Sequence, residues 1–433
     1  MMLTLLWTDT LVWLLVAMLA AWGWSARRDR LVLERWQAVF TSRLALTSAL
    51  VLAAYVVVAL LDSVHFQLAG GQVRSLLDLL FAHLLENTER TYSAPFATRE
   101  FVKSVVQEGG VTRQVHLPLA HVHPERFWPD VGLGLALGTG LTGLLWLVRY
   151  GVSPIFKGRI LARADRRLFW AVLWAILTVF CLLWALSRDF HVFGTDKVGN
   201  DVLFQALKSI RTGVLIGTLT TLLMLPLAIG LGVMAGYFKG WVDDVIQYLY
   251  TTLNSIPGVL LIAAAVLVMQ GMLENHPEWF GSAEARADLR LLFLTLILGL
   301  TSWTGLCRLL RAETLKLSQV DYVRAARALG AGHGRILLRH ITPNLMHLVL
   351  IAVVLDFSGL VLAEAVLTYV GVGVDPTMNS WGNMINAARL EMAREPAVWW
   401  SLAAAFVFMS LVVLAANLLS DRVQQVFNPR SAD

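Results

Sequence analysis

The segment from Asp321 to Pro343 reads DYVRAARALGAGHGRILLRHITP and lies between two apolar runs, each long enough to cross a bilayer. The adjacent small residues Ala325 and Ala326 allow a short helix to approach another surface closely. Gly330 suits a left-handed residue after the helix has ended. Pro343 fits the first turn of the helix that follows. The segment therefore predicts a short polar helix that docks onto a partner on the cytoplasmic side of a membrane.

The composition is that of a membrane protein. Of 433 residues, 57% are hydrophobic and 15% are charged, and the mean hydropathy is +0.65. A soluble domain is roughly half apolar and a quarter charged. About 20 apolar residues span the hydrocarbon core. We therefore expect an all-α polytopic membrane protein with about nine transmembrane helices, near residues 3–24, 44–66, 131–148, 168–187, 213–236, 247–270, 290–307, 344–370 and 398–420.

Several of the tryptophans lie near the ends of these predicted spans. Such positions are typical of the aromatic belt at a membrane interface. The alternative for each of them is ordinary packing between helices. The residues concerned are Trp24, Trp128, Trp184, Trp381, Trp399 and Trp400.

The basic residues cluster in short loops beside spans, at 25–43, 149–167 and 308–343, as expected of cytoplasmic loops. The connection 67–130 carries six Lys or Arg and seven Asp or Glu, so we expect it to lie outside. With nine spans, the N-terminus is predicted outside and the C-terminus in the cytoplasm. These loops account for the net charge of +5, so no nucleic-acid partner is expected.

In this segment a pair of small residues is followed by three residues, a glycine, nine residues and then His-Ile-Thr-Pro at 340–343. This order resembles the EAA loop of ABC importer permeases. The closest resemblance is to C-type permeases of the dipeptide, oligopeptide and nickel group. In that family the loop is the coupling helix, which a cytoplasmic ATPase holds. Arg324 stands where the family usually has Glu, and its charge opposes the helix dipole unless the partner or solvent supplies an anion. The coupling residues that the resemblance implies are Tyr322, Arg324, Ala325, Ala326, Gly330, His340 and Pro343.

Further matches to the same family follow in order along the chain. The resemblance implies the transmembrane domain of a type I ABC importer at residues 166–433, with six helices, a core at about 211–420 and a coupling loop at 311–343. Residues 1–165 have no counterpart in the short members and form an N-terminal extension with three transmembrane helices and an outer loop at 67–130. The matches are Trp303 and the segments 194–203, 236–243, 308–313, 362–365, 371–373 and 380–384.

The resemblance also implies a function, which is that of a permease subunit in an ATP-driven importer of peptides or similar small solutes. It places the chain in the lipid of the bacterial inner membrane with a B-type permease subunit, two ABC ATPase subunits and an extracytoplasmic solute-binding protein. The chain contains no Gly-x4-Gly-Lys-Ser/Thr motif, so we expect no cofactor on it and no enzyme activity, with ATP and Mg bound by the ATPases. The pentapeptide 68–72, LAGGQ, resembles an ATPase signature only superficially.

An ion-gradient-driven secondary transporter or channel without ATPase partners is the alternative function. Such a protein would place several ionisable groups near mid-membrane, whereas the predicted spans hold few besides Glu364. Glu364 either faces the translocation path, where it would meet a peptide's amino terminus, or accepts hydrogen bonds from neighbouring backbone. A membrane-embedded hydrolase would need clustered His or Asp side chains, which the spans lack.

Two polar segments have competing interpretations. One contains His116, His121, His123 and Glu125, which are either metal ligands or members of a solvated loop; the irregular spacing favours the loop. In the other, Asp196 and Asp201 are explained more simply by turn formation and helix capping than by a catalytic carboxylate pair.

The leucines at 76, 77, 80, 84 and 85 recur at helical spacing and predict one amphipathic helix in the outer loop.

Overall fold

The computed structural model describes residues 2–4, 6–26, 30–67, 73–108, 111–151, 164–279 and 282–427. Short strands occur at β1 (Met2–Thr4), β2 (His65–Gln67), β3 (Val73–Ser75), β4 (Ser104–Glu108) and β5 (Val111–Val115). The helices are α1 (Trp7–Ala26), α2 (Arg30–Val39), α3 (Arg43–Asp62), α4 (Leu76–Leu80), α5 (Ala82–Glu86), α6 (Phe127–Gly151), α7 (Arg166–Leu186), α8 (Val202–Phe238), α9 (Gly240–Ser255), α10 (Gly258–Asn275), α11 (Ala283–Leu317), α12 (Asp321–Ala328), α13 (His333–Ile336), α14 (Thr342–Tyr369), α15 (Trp381–Glu391) and α16 (Trp400–Phe427).

Within the described ranges, eight helical segments are long and apolar enough to cross a membrane. A shorter apolar helix at Trp7–Ala21 lies where the first of the nine predicted spans was expected. The prediction of an all-α polytopic membrane protein is confirmed. The eight segments are Arg43–Asp62, Pro124–Arg149, Arg166–Leu186, Val202–Phe238, Gly258–Asn275, Ala283–Leu317, His333–Tyr369 and Trp400–Phe427.

The span predicted at 247–270 has the wrong bounds, because two helices occupy that region and the apolar spanning helix is Gly258–Asn275. α9 ends at Ser255, Ile256 adopts an extended conformation with φ −93° and ψ 130°, and α10 begins after Pro257. The ring of a proline disfavours the helical conformation for the residue before it, so the helix stops at Ile256. Hydropathy does not register this break, since both helices contain apolar residues.

The single amphipathic helix predicted near residue 76 is two short helices, α4 and α5, separated by Phe81. Ser75 begins α4 with a capping box, in which its hydroxyl accepts from Asp78 N at 3.1 Å and its own N–H donates to the Asp78 carboxylate at 2.8 Å. Leu77 and Leu84 are buried as the spacing predicted, whereas Leu80 of the same predicted face is 42% exposed. The strands nearby form a three-stranded antiparallel sheet in the order β1–β2–β3, and β4 pairs with β5 as a separate antiparallel hairpin.

The chain forms two compact units. The first comprises the described residues within 1–214 and 376–419, and the second those within 215–375 and 420–433. In the first unit α6 packs closely on α7, because Gly134 and Gly138 have no side chain. A Cβ atom at Gly138 would lie 2.5 Å from Thr178 Cα, closer than packing allows.

Two of the tryptophans predicted at the membrane interface are core residues instead. Trp381 and Trp400 are almost fully buried, and their ring N–H groups donate to backbone oxygens of Ala206 and Thr195. Because the rings are buried and their N–H groups are hydrogen-bonded inside the protein, these two tryptophans serve in packing between elements of the fold. Trp128 and Trp399 are exposed, as interfacial residues would be, and the side chain of Trp24 lies outside the described residues.

Candidate functional site

The predicted docking helix is present as α12, in the second unit. Val323 is the buried residue of this helix, 3% exposed, and it packs into an apolar cluster that includes Leu306 and Leu310 of α11 and Leu345 of α14. The other side chains of α12 are exposed or half-buried. The helix therefore lies on the surface, and its apolar attachment is the side chain of Val323, which packs against residues of α11 and α14.

Gly330 ends α12 with the geometry that the sequence predicts. Its φ is +81°, in the left-handed region. The N–H of Ala331 donates to Ala326 O at 3.0 Å and that of Gly330 donates to Arg327 O at 3.0 Å, the bond pair of a Schellman motif. No heavy atom outside its chain neighbours lies within 4 Å of a Cβ built at Gly330. The glycine is thus required by backbone conformation and not by close packing.

Tyr322 and His340 are both predicted coupling residues, and Asn344 connects them. No role for Asn344 was predicted from the sequence. The amide of Asn344 donates to Tyr322 Oη at 3.0 Å and to His340 O at 2.7 Å. Pro343 lies in the first turn of α14, as expected. Residues 337–341, between α13 and α14, form a π-helical turn. Asn344 therefore links the docking helix to the start of a spanning helix.

A second contact between α12 and the spanning helices runs through Tyr237 at the end of α8. Its hydroxyl lies 2.9 Å from His333 Nδ1, and the guanidinium of Arg327 lies 5.3 Å from the centre of its ring. A cation over an aromatic face is favourable by about 0.5–1 kcal/mol at an exposed site. Tyr237 lies within one of the family matches, but no role was predicted for it. The sequence feature that could have indicated one is the aromatic pair Tyr237-Phe238 at the end of a long helix.

The face of α12 that points away from the core carries small and cationic residues. Ala325 is exposed and Ala326 is half-buried. Arg324 is exposed, and its side chain has no bonding partner in the part of the chain that the structure describes. A surface of this kind suits close contact with a protein that contributes carboxylates, and it holds no nucleophile or acid–base pair for catalysis.

Behind α12, an ion pair joins α9 to α11. Arg311 donates from Nε to Asp243 Oδ1 at 2.5 Å and from Nη2 to Asp243 Oδ2 at 2.7 Å. Both side chains are largely buried. The hydrogen bond from Arg311 holds the pKa of the Asp243 carboxyl below its ordinary value. This bidentate contact fixes the angle between two helices near the docking surface.

Glu364 is buried in α14, and Thr368 donates to its Oε1 at 2.8 Å. The Thr368 hydroxyl also accepts from the backbone N of Val374 at 3.3 Å. A side chain at Gly373 would collide with Thr368, so this turn is tightly packed. Hydrogen bonding by Glu364 is therefore observed, from a neighbouring hydroxyl, whereas a place on the translocation path stays a prediction.

The remaining polar segments have structural roles. Asp201 Oδ1 accepts from Phe204 N at 3.1 Å and caps α8, and Asp196 Oδ1 accepts from two backbone N–H groups of its own turn. Their predicted role in turns and caps is confirmed. His116 contacts the backbone oxygen of Glu100 at 2.9 Å. The described residues contain no group of three or more His, Cys, Asp or Glu placed to hold a metal. The pentapeptide 68–72 lies outside the described residues.

Comparisons with known proteins agree on the membrane part of the chain. Residues 228–433 match the family described as "Binding-protein-dependent transport system inner membrane component". Over 242 residues, the chain is 30% identical to the glutathione transport system permease protein GsiD of Pectobacterium atrosepticum, an alignment that covers 55% of this chain and 73% of that protein. Over 241 residues, it is 29% identical to the oligopeptide transport system permease protein OppC of Mycobacterium tuberculosis, covering 56% and 76% respectively.

Proposed function

The chain belongs to the family of inner membrane components of binding-protein-dependent transport systems, and on this basis we propose that α12 couples it to a cytoplasmic ATPase. The chain is a multi-pass inner-membrane permease subunit of an ABC importer. It is not catalytic, and it works with an ATPase and a binding protein on separate chains. Membership of this family favours the importer over an ion-gradient-driven transporter or channel.

The observation that carries the proposal is the way α12 is attached. One face is exposed and offers Ala325 and Arg324, while Val323 packs into a core shared with α11 and α14. The Schellman turn at Gly330 and the Asn344 contact hold the helix at a defined angle. A partner that pulls on the exposed face therefore moves both spanning helices, since the short helix cannot slide without breaking these contacts.

The resulting mechanism is alternating access. Closure of the ATPases on ATP displaces α12 as a rigid body, and α11 and α14 tilt with it. The Asp243–Arg311 pair transmits this movement to α9. Tilting of these helices alternately opens the solute cavity to the outside and to the cytoplasm. Arg324 is paired by a carboxylate of the ATPase, which offsets its unfavourable place in the first turn of α12.

For the solute, the names of the relatives support peptides or similar small molecules. One relative is a glutathione permease and another an oligopeptide permease.

The assembly proposed is a heterodimer of this chain with a B-type permease, joined by two ATPase subunits. ATP and Mg are bound on the ATPases, and this chain holds no cofactor. The N-terminus lies outside and the C-terminus in the cytoplasm. Residues 166–433 act as the permease domain, and residues 1–165 as an extension of it.

The coupling role is tested by placing a charge on the docking face. In the complex reconstituted into vesicles, Ala326→Asp is expected to lower solute uptake about tenfold or more while ATP hydrolysis continues, because an unpaired charge enters a close contact. Ala325→Asp gives the same result with less risk to the fold, since that methyl group is exposed.

The matched control is Ala283→Asp, at the opposite end of α11 from the docking helix and exposed. This variant is expected to transport normally. Unchanged uptake per ATP hydrolysed in both α12 variants would show that α12 does not couple the ATPase to the membrane helices.

A further inference from the structure

A second carboxylate, Asp356, lies midway along α14, where the sequence is otherwise apolar. Of the two carboxylates in this helix, only Glu364 was expected from the sequence to have a function. Neither Lys nor Arg occurs between Thr342 and Tyr369, so the helix offers no cation of its own. An ionised carboxylate near the centre of a bilayer costs about 2.5–3.5 kcal/mol if it faces lipid. Its position therefore requires water or a partner.

Several other charged groups on spanning helices of the second unit have such partners. Arg311 pairs with Asp243, Arg290 lies 3.3 Å from Asp375, and Glu364 accepts from Thr368. The side chain of Asp356 has no hydrogen bond or ion pair with any residue in the ranges that the structure describes. It differs in this from Glu364 on the same helix.

Asp356 borders a face of α14 that the rest of this chain leaves uncovered. Leu355 beside it is 44% exposed and Leu362 is 42% exposed. Gly359, one turn further along, has no heavy atom within 4 Å of a Cβ built on it, so there is open space beside the helix at that position. Phe357 packs in another direction, against Gly217 of α8. Asp356 is itself half-buried, at the edge of a helix face that this chain leaves partly uncovered.

We propose that Asp356 lies on the wall of the translocation path and binds a cationic group of the transported solute, an ammonium or a guanidinium. This inference rests on the proposed function, because it needs a water-filled path beside α14. A carboxylate on the wall of a narrow aqueous passage attracts a cation more strongly than one in bulk water does, because the protein and lipid around the passage have a low dielectric constant. The amino terminus of a peptide is mainly protonated at pH 7, since its pKa is about 7.7–8.0. Asp356 thus selects solutes that carry a positive charge.

The first test needs no knowledge of the solute. Gly359→Cys places a thiol one turn from Asp356 in open space, in a background where the buried Cys181 and Cys307 are replaced by alanine. In the assembled complex, cationic and anionic methanethiosulfonate reagents of similar size are applied in water. We expect the thiol to react, with the cationic reagent favoured, and Asp356→Asn to lower the cation-to-anion rate ratio on the order of tenfold.

Val349→Cys is the control, because it is buried on the same helix and is expected to stay unreactive. An unreactive thiol at 359, or a rate ratio that Asp356→Asn leaves unchanged, would overturn the proposal. The first result would place the residue in lipid or against another chain, and the second would show that no ionised carboxylate faces the path.

The second test compares uptake of one tripeptide with a free amino terminus and the same peptide acetylated. The wild-type complex is expected to prefer the free amine, and Asp356→Asn to reduce that preference by about tenfold, with Asp356→Glu restoring part of it. Equal loss of both peptides in Asp356→Asn would indicate a structural role and refute the proposal. If the wild-type complex imports neither peptide, the proposed solute class fails, and the thiol reaction rates still decide whether Asp356 faces an aqueous path.

Discussion

At the residue scale, Gly330 shows how one backbone angle shapes the docking surface. The Schellman turn needs φ near +81° at this position, and the two N–H groups that follow α12 bond back to Ala326 and Arg327 only in that conformation. Amino acids with a Cβ adopt it at a cost of about 1–2 kcal/mol. Since a Cβ at Gly330 would meet no neighbour, this backbone term is the whole cost of a small side chain.

Gly330→Ala is therefore expected to weaken binding of the ATPase to the permease by about 5- to 30-fold, the equivalent of 1–2 kcal/mol. Titration of purified ATPase onto the permease in detergent measures the change. Gly332→Ala is the control, because Gly332 is exposed and has a φ of −64° that alanine adopts freely. Equal affinities for Gly330→Ala and the wild type would show that the turn geometry is unimportant for docking.

At the element scale, the relation between α9 and α11 depends on one ion pair that hydropathy does not reveal. Asp243 belongs to the first turn of α9 and Arg311 to the last turns of α11, and they are far apart in sequence. Both residues lie within family matches, but nothing in the sequence indicated that their side chains form an ion pair. Because the pKa of Asp243 is below its ordinary value, the carboxylate is ionised at neutral pH. Its contribution to stability is lost only in acid, as the pH falls through that lowered value.

Asp243→Asn is expected to destabilise the permease by about 3–5 kcal/mol, since it leaves the largely buried Arg311 without its anion. Thermal unfolding in detergent, followed by tryptophan fluorescence, checks this. Asp244→Asn removes the same charge from the next, exposed position and should leave the unfolding midpoint almost unchanged. Similar midpoints for the two variants would contradict the importance of the pair.

At the scale of the whole molecule, residues of the N-terminal extension and the start of α8 belong to the same compact unit. Lys208 Nζ lies 2.6 Å from Asp78 Oδ1 and 3.5 Å from Asp62 Oδ1, and Arg211 lies 2.7 Å from Asp9 Oδ1. All these side chains are buried or nearly so. The extension thus supplies the anions for two cations of the first helix of the predicted permease core.

Lys208→Met is expected to lower stability by about 3–5 kcal/mol, because two buried carboxylates are left close together without a cation. The yield of folded protein and its unfolding temperature in detergent report the loss. Adding Asp62→Asn and Asp78→Asn to the same chain should recover much of it. Lys197→Met, at an exposed position nearby, is the control. No difference between the Lys208 and Lys197 variants would show that the extension does not stabilise α8 in this way.

The amino-acid sequence by itself determined the membrane class, the approximate positions of most spans, and the short helix α12 with its glycine stop. These depend on local properties, namely runs of apolar residues and the backbone freedom of Gly330, that any surroundings would preserve. Only the tertiary structure decided that the apolar region at 247–270 holds two helices, and that Trp381 and Trp400 are buried. It also paired Asp243 with Arg311 and left Asp356 unpaired among the described residues. Such contacts join positions distant in the chain, and their energies depend on burial and geometry, which appear only when the helices pack.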